Sequence, residues 1–523
     1  MREAPDDVEF ETLSFGEDRD LLPGLRQAMV FTFVVALQVR RNGSEIRGST
    51  RRAREVLEGP IRAPTIPIPG DPGPRAPIAT DGARSRTLHL DRAVPAVRAI
   101  VSHAHERSAR LPSQESLPQL TSCRVCRSPD VRTVLDLGAV PLANDFLEPG
   151  DATAGARYPL GLQFCSNCGI AQIVQTVDPE ILFRNYLYTP SASTTWRAHC
   201  DELSAWIRAR AGHGAAPFVV EPASNDGRLL KAIQRWTPNV LGVEPALNIA
   251  SLAEREGVPT LPEFFGSATA AQIRARYGPA NIVVGTNVLA HVPDIGDFLR
   301  GAAGLLADGG FIVIEAPYLR DLVETMAYDT IYHEHVSYLS VTALDYVYRH
   351  SGLVLTHVER IPIHGGSVRF VGQHEGARPD ATVATMLDEE RRLGYVSGSA
   401  LADFSARVAR LRARLRSTVE TLRATGFTIG AYGATAKGTT LLTTTGLTRE
   451  HVRYIVDKNP LKQGRVAPGS LIPIVDVSSL ANDPVDILML LAWNLKDEIV
   501  REQREFSERG GRFLVPIPEP VLI

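Results

Sequence analysis

Two groups of residues in this chain could do chemistry. The stretch Tyr332 to Tyr338 reads YHEHVSY and sets His333, Glu334 and His335 side by side, in a chain with only 13 histidines in 523 residues. An imidazole titrates near neutral pH, so it serves as a metal ligand, an acid/base group or a core residue. If the run is extended, His333 and His335 share one face while Tyr332 and Glu334 share the other. A metal site on His-x-His lacks an evident third ligand here, and the run is not H-E-x-x-H. By itself the stretch reads as structure more readily than as catalysis.

The second group is four of the five cysteines. SCRVCRSP holds Cys123 and Cys126, and QFCSNCGI holds Cys165 and Cys168, with 38 residues between the pairs. Two C-x2-C knuckles give four thiolates, the donor set of a closed tetrahedral zinc site. With no coordination position left for water, such zinc is structural. Cys200 stands alone and reads as a small buried apolar residue.

A ligand site is also legible in strand–loop–helix order. FVVEPASNDGRLLKAIQ runs from an apolar strand ending in Glu221 through Ser224, Asn225, Asp226 and Gly227 into a helix. That geometry lets backbone N–H groups meet a ligand at the carboxyl end of a strand. The next strand, VLGVEP, ends in Glu244, placed to accept ribose hydroxyls, and VVGTNVLAHVPD puts Asn287 and His291 over the same crevice. A ribose acid without G-x-G-x-x-G fits S-adenosylmethionine better than NAD. An ordinary α/β turn with capping residues is the plainer reading. GAYGATAKG at 430–438 repeats the arrangement, with Asp457 at a ribose-like distance. That weaker match fits a nucleotide-bearing substrate or a degenerate fold that only packs.

The elements that must position these residues are α/β throughout. Strands FVVEPA, NVLGVEP, NIVVGTNV and GGFIVIEAP alternate with helical segments, and GLVLTHVERIP with SVRFVGQHEG forms an antiparallel pair closing the sheet. Residues 379–425 carry a helical apolar period, and a second α/β pattern follows. The expected division is 1–118 as a disordered or irregular extension, 119–184 for zinc, 185–378 for the cofactor, 379–425 as helical connector and 426–523 as a Rossmann-like substrate-binding domain. Before residue 119 the chain is rich in Arg, Pro and Ala without sustained period. AMVFTFVVALQV at 28–39 is too short to span a bilayer and lacks the basic flank of a signal peptide. A net charge of −3 leaves no footprint for nucleic acid or anionic membrane, so a cytoplasmic protein, monomeric or a small homo-oligomer, is expected.

Taken in order, CRVCRS, LDLGAVPLANDFL, FCSNCGIAQI, YLYTPSAS, EPASNDGRLL, GVEPALNIA, NVLAHVPD, YHEHVSYLS, HGGSVR and GAYGATAKGTTLL resemble the S-adenosylmethionine-dependent nucleotide-sugar C-methyltransferases, which make branched deoxysugars for natural products. The resemblance spans about residues 119–523. It implies a zinc-binding domain, a central class I methyltransferase domain and a C-terminal Rossmann-like domain around a thymidine-diphosphate 4-keto-deoxysugar. It also implies that His335 is the base, with Tyr332 and Glu334 in the same element, and that Tyr186 and His291 face the sugar. Pro222 departs from the aliphatic residue usual there and leaves Ser224, Asn225 and Asp226 in place.

That chemistry suits the residues. Carbon becomes nucleophilic only as an enolate, so a base must take the proton beside the C4 ketone, and hydrogen-bond donors must meet the growing oxyanion. Methyl transfer to C3, with C5 as a variant, is the expected reaction. O- or N-methylation of another metabolite would need no enolising base. A non-enzymatic zinc-ribbon interaction protein would not bind the cofactor.

Overall fold

The computed structural model describes residues 119–150, 156–184, 193–212 and 216–523. Tyr186, the 28–39 segment and everything before residue 119 lie outside them.

The chain opens with an antiparallel meander: β1 (Val131–Pro141), β2 (Arg157–Cys165) and β3 (Ala171–Ile173). It then winds a parallel sheet from β4 (Val219–Pro222), β5 (Val240–Val243), β6 (Thr260–Leu261), β7 (Ala280–Thr286) and β8 (Leu306–Pro317). β4 and β5 are buried along their whole length, as strands covered on both faces must be. A two-residue strand, β9 (Ser337–Tyr338), returns to pair antiparallel with β3. β10 (Leu353–Ile361) and β11 (Ser367–His374) then close the large sheet as the expected antiparallel pair, in the order β10-β11-β8-β7-β4-β5-β6. The order reverses between β4 and β7, which opens a crevice at their carboxyl ends.

Helices Ala381–Arg392 and Phe404–Ala424 follow. The second buries Phe404, Val408, Leu411, Leu415 and Val419, one face of a 3.6-residue period. The third sheet comprises β12 (Ile429–Tyr432), β13 (Ile455–Val456), β14 (Ile474–Val475), β15 (Ile487–Leu490), β16 (Arg512–Val515) and β17 (Val521–Leu522). Its order, β14-β13-β12-β15-β16-β17, reverses between β12 and β15, so it carries a second crevice of the same kind.

The cores interlock. One apolar cluster joins β1 and β2 (Leu135, Leu162, Phe164) to Val336 and Tyr338, to the long helix and to the third sheet. A second joins Cys123, Cys165, Cys168 and Ile170 to the large sheet through Val288, Leu339 and Leu344. Cys200 is buried in a third cluster, against Leu203 and Ile207. Among the described residues no helix is long and apolar enough to cross a membrane.

Candidate active site

The four cysteine sulfurs lie within 4.8 Å of one another, with Cys123 to Cys168 at 3.6 Å and Cys126 to Cys165 at 3.5 Å. Four ligands about 2.3 Å from a central zinc stand roughly 3.8 Å apart, so the donor set fits a closed Zn–S4 site. Each knuckle is a tight turn: Arg127 N–H meets Cys123 O and Gly169 N–H meets Cys165 O, both at 3.0 Å. Arg127 and Gly169 take the left-handed φ that such turns need.

These knuckles brace distant chemistry. β3 pairs Ala171 with Tyr338 and Gln172 with Ser337, and Ile173 N–H bonds the Val336 carbonyl at 3.2 Å. The zinc sheet therefore grips the chain immediately after His335. Chelating the metal, or the change Cys165→Ser, is expected to lower the melting midpoint by about 10 °C. Methyl transfer should fail before cofactor binding does; differential scanning fluorimetry and calorimetry with the cofactor product test both.

A cavity of about 540 Å³ fills the first crevice, lined by Glu221, Ser224, Asn225, Asp226, Glu244, Asn287 and His291 together with Phe183, Trp196 and Phe265. The loop after β4 is sharply folded: Ala223, Asn225 and Gly227 all have left-handed φ. Glu244 holds it, accepting Asn225 N–H on one carboxylate oxygen and Ala246 N–H on the other, both at 2.9 Å. Gly242 is required beneath it, because an added Cβ would lie 2.4 Å from Ser224 Oγ. Gly227 does not line the cavity; it caps helix Arg228–Ile233 with left-handed backbone and packs on Val258. Asn287, also left-handed, is fixed by its N–H to Glu315 O at 2.7 Å.

Glu221 is buried, with one carboxylate oxygen lacking a hydrogen-bond partner, and Ser224 Oγ is equally bare. Burial, with Asp226 and Glu244 nearby, pushes the Glu221 carboxyl well above its usual range. An apolar, aromatic cavity edged by unsatisfied carboxylate suits a cationic nucleoside ligand. The residues thus fit S-adenosylmethionine: Glu244 would take the ribose hydroxyls, Ala223 to Asp226 would line the site, and the buried Glu221 would give up its proton once the cofactor's positive charge lies near. What that cofactor supplies is a methyl group activated on a sulfonium.

Behind His291 the segment YHEHVSY is a turn, closed by His335 N–H to Tyr332 O at 2.9 Å. The alternation expected of an extended run does not hold. His333 turns away: its Nε2 donates to Pro159 O at 3.2 Å and its ring meets Tyr158 edge-on, so it ties the turn to β2. Tyr332 and His335 lie on the same side, with the Tyr332 hydroxyl 2.8 Å from His335 Nε2 and the rings 4.1 Å apart. His335 Nδ1 donates to Thr330 O at 2.9 Å, so Nε2 holds the lone pair. His291 follows the same rule, since its Nδ1 donates to the Glu334 carbonyl at 2.8 Å. The His291 and His335 rings meet edge-on at 4.7 Å. The Glu334 carboxylate takes both bonds from Asn144 Nδ2, at 2.8 and 2.9 Å, so its backbone rather than its side chain orients an imidazole.

Both imidazoles are neutral at physiological pH. Burial lowers His291 to about 4, and burial, His291 and Lys437 hold His335 well below the ordinary value. His333 is buried and likewise lowered to about 4. A histidine whose folded value lies below its unfolded value near 6.5 binds fewer protons folded than unfolded in between. Its contribution is therefore complete above pH 6.5 and is lost as pH falls through about 4. Urea midpoints should hold from pH 8 to 7 and drop steadily below 6, and the change His333→Gln should flatten that drop.

In the C-terminal crevice, the Asp457 carboxylate accepts Ala434 N–H at 2.7 Å and Asn459 N–H at 2.8 Å. It anchors the glycine loop in the way Glu244 anchors the loop after β4.

Residues 123–183 match the family described as "Putative zinc binding domain", 197–358 match "Methyltransferase domain" and 362–518 match "C-methyltransferase C-terminal domain". The chain is 37% identical over 416 residues, 78% of its length and 98% of the relative's, to C-methyltransferase NovU of Streptomyces niveus. The chain belongs to the C-methyltransferase family. A Ubiquinone biosynthesis O-methyltransferase of Caulobacter sp. (strain K31) is 32% identical over 111 residues, 20% of this chain and 44% of that protein. The crystal structure of magnesium protoporphyrin IX methyltransferase from Synechocystis PCC 6803 with bound SAM is 13% identical. It covers 34% of this chain and 78% of that one at a TM-score of 0.26, too slight a likeness to bear on fold or function.

This C-methyltransferase is S-adenosylmethionine-dependent, with a structural zinc site on its four paired cysteines. Sequence reasoning did not find Phe183, Trp196 and Phe265, the aromatic walls of the cavity, or Asn144, which holds Glu334. Aromatic residues in apolar context carry no local mark of a ligand, and Asn144 is 190 residues away in sequence.

Proposed function

We propose that this C-methyltransferase moves a methyl group from S-adenosylmethionine to C3 of a nucleoside-diphosphate 4-keto-deoxysugar, with His335 as the base. The supporting observation is the neutral imidazole pair formed by His291, which lines the cofactor cavity, and His335, which stands directly behind it with the rings 4.7 Å apart, each with Nδ1 committed to a carbonyl and Nε2 carrying a lone pair. His335 Nε2 takes the proton beside the ketone, and the C–H electron pair moves onto the carbonyl oxygen. For this Tyr332 first turns its hydroxyl away from the Nε2 lone pair it occupies at 2.8 Å and toward that oxygen, as a hydrogen-bond donor. In its neutral form with Nδ1 spent, His291 accepts rather than donates, so its role becomes packing and orienting His335. The enolate carbon forms the new C–C bond as the methyl's bond to the donor sulfur breaks and its electron pair stays on sulfur, cancelling both charges, and the imidazolium returns its proton to solvent. Glu334 and Tyr186 stay in the reading as residues flanking the sugar, the first positioned by Asn144.

The division at residues 119–184, 185–378, 379–425 and 426–523 belongs to the same proposal, as do a cytoplasmic location, a monomer or small homo-oligomer, and no nucleic-acid or membrane partner. The test is incubation with a thymidine-diphosphate 3-amino- or 3-hydroxy-4-keto-2,6-dideoxysugar and methyl-labelled cofactor, followed by locating the label. A methyl group on C3 supports the reading; one on oxygen or nitrogen overturns it.

A further inference from the structure

Lys437 begins helix Ala436–Thr445 directly after the β12 loop, and its Nζ donates to Asn494 Oδ1 at 2.6 Å while standing 5.3 Å from the centre of the Trp493 ring. Trp493 and Asn494 follow β15, so the three meet where the order of the third sheet reverses, the crevice in which such folds place ligands. Trp493 Nε1 then crosses to Asp329 Oδ2 at 2.8 Å. Asp329 is buried and its other oxygen has no hydrogen-bond partner. The next residue, Thr330, supplies the carbonyl that holds His335 Nδ1. Cation, counter-ion and candidate base therefore surround one short turn, Tyr328–Thr330, contributed by different domains.

A desolvated ammonium is costly to keep, and one buried carboxylate offsets only part of that cost. Burial lowers Lys437 while Asp329 raises it, and the positive charge in turn lowers Asp329 and, as the least of its causes, His335. Around His335 stand His291 from the β7 end, Tyr332 and Tyr338 from its own segment, Lys437 from the C-terminal domain, and Asp329 and Glu334 beside them. Of these only Lys437 is a cation, because both imidazoles are neutral and have spent their N–H groups on carbonyls.

We propose that Lys437 is a further residue of the reaction, the positive charge that balances the enolate formed when His335 takes the substrate's proton. This rests on the C-methylation of a 4-keto sugar proposed above. The C–H bond breaks, its proton goes to His335 Nε2, its electron pair goes to the carbonyl oxygen, and Lys437 stays protonated throughout. Formation of the C–C bond removes that negative charge again. The C-terminal domain thereby completes the reaction centre, and not merely the substrate's mooring.

The test is solvent deuterium exchange beside the ketone of a thymidine-diphosphate 4-keto-deoxysugar, measured for the full chain and for Lys437→Met, Lys437→Arg and Asn494→Ala. Lys437→Met should cut kcat for exchange and methylation about 10²- to 10³-fold with little change in KM. The acid limb of its pH profile should move upward, because the charge that holds His335 down is gone. Lys437→Arg should recover most of the rate, and Asn494→Ala should lose about tenfold by loosening the ammonium. Exchange at the parent rate in Lys437→Met, or a raised KM with kcat intact, overturns the proposal. If Lys437→Met does not fold, an unaltered kcat and pH profile in Asn494→Ala overturns it instead. A parent enzyme that exchanges nothing fails earlier, at the C-methylation reading beneath.

Discussion

His335→Ala is expected to abolish deuterium exchange beside the sugar ketone and methyl transfer together, each by about 10³-fold, while the cofactor product binds as before. Positioned general bases contribute about 10² to 10⁴-fold. The two losses are tied because the enolate precedes the new bond. Nuclear magnetic resonance of the sugar in deuterated buffer reads exchange, and labelled cofactor reads transfer. Exchange at the parent rate would remove His335 from the role and leave His291, whose Nε2 also carries a lone pair at the cavity wall. The pH profile separates them further. With His335 held well below the ordinary imidazole value, activity should stay level from pH 8 to 6.5 and fall only in more acid solution.

Glu244→Ala is expected to weaken cofactor binding about 10²-fold. Its carboxylate restrains Asn225 N–H and Ala246 N–H and is placed to receive ribose hydroxyls, and charge-assisted bonds of that kind are worth roughly 1.5–3 kcal/mol each where they survive desolvation. Glu244→Gln, which keeps one carbonyl acceptor, should lose less. Calorimetry with the cofactor product measures both, and chemical denaturation shows whether the loop alone has been lost. Binding within threefold of the parent in Glu244→Ala would mean the ribose is held elsewhere in the cavity.

Much of this architecture is legible one residue at a time. The C-x2-C pairs announce a zinc site because each knuckle is a local turn with only two residues between its donors. The strands around Glu221 and Glu244 are legible because fully buried parallel strands are continuous apolar runs, and an acid ending such a run is conspicuous. The antiparallel closure by β10 and β11 is equally local. YHEHVSY misled for the same reason: its alternation looks like a strand, but the His335 N–H to Tyr332 O bond folds it into a turn and parts His333 from His335.

What residue types and spacing determined by themselves was the inventory: four thiolates for zinc, acids at the ends of two buried strands, and a cluster of imidazoles. Tertiary structure decided which of these meet and in what state. The proton on each imidazole follows from a carbonyl, Thr330 O or Glu334 O, presented by a turn no local pattern encodes. Lys437 comes near the Tyr328–Thr330 turn only because its helix packs against that turn, through Thr440 and Thr444, more than 100 residues away in sequence. Spacing along a chain constrains contacts within one turn or strand. Charge and desolvation depend on everything within several ångströms, wherever in the chain it originates.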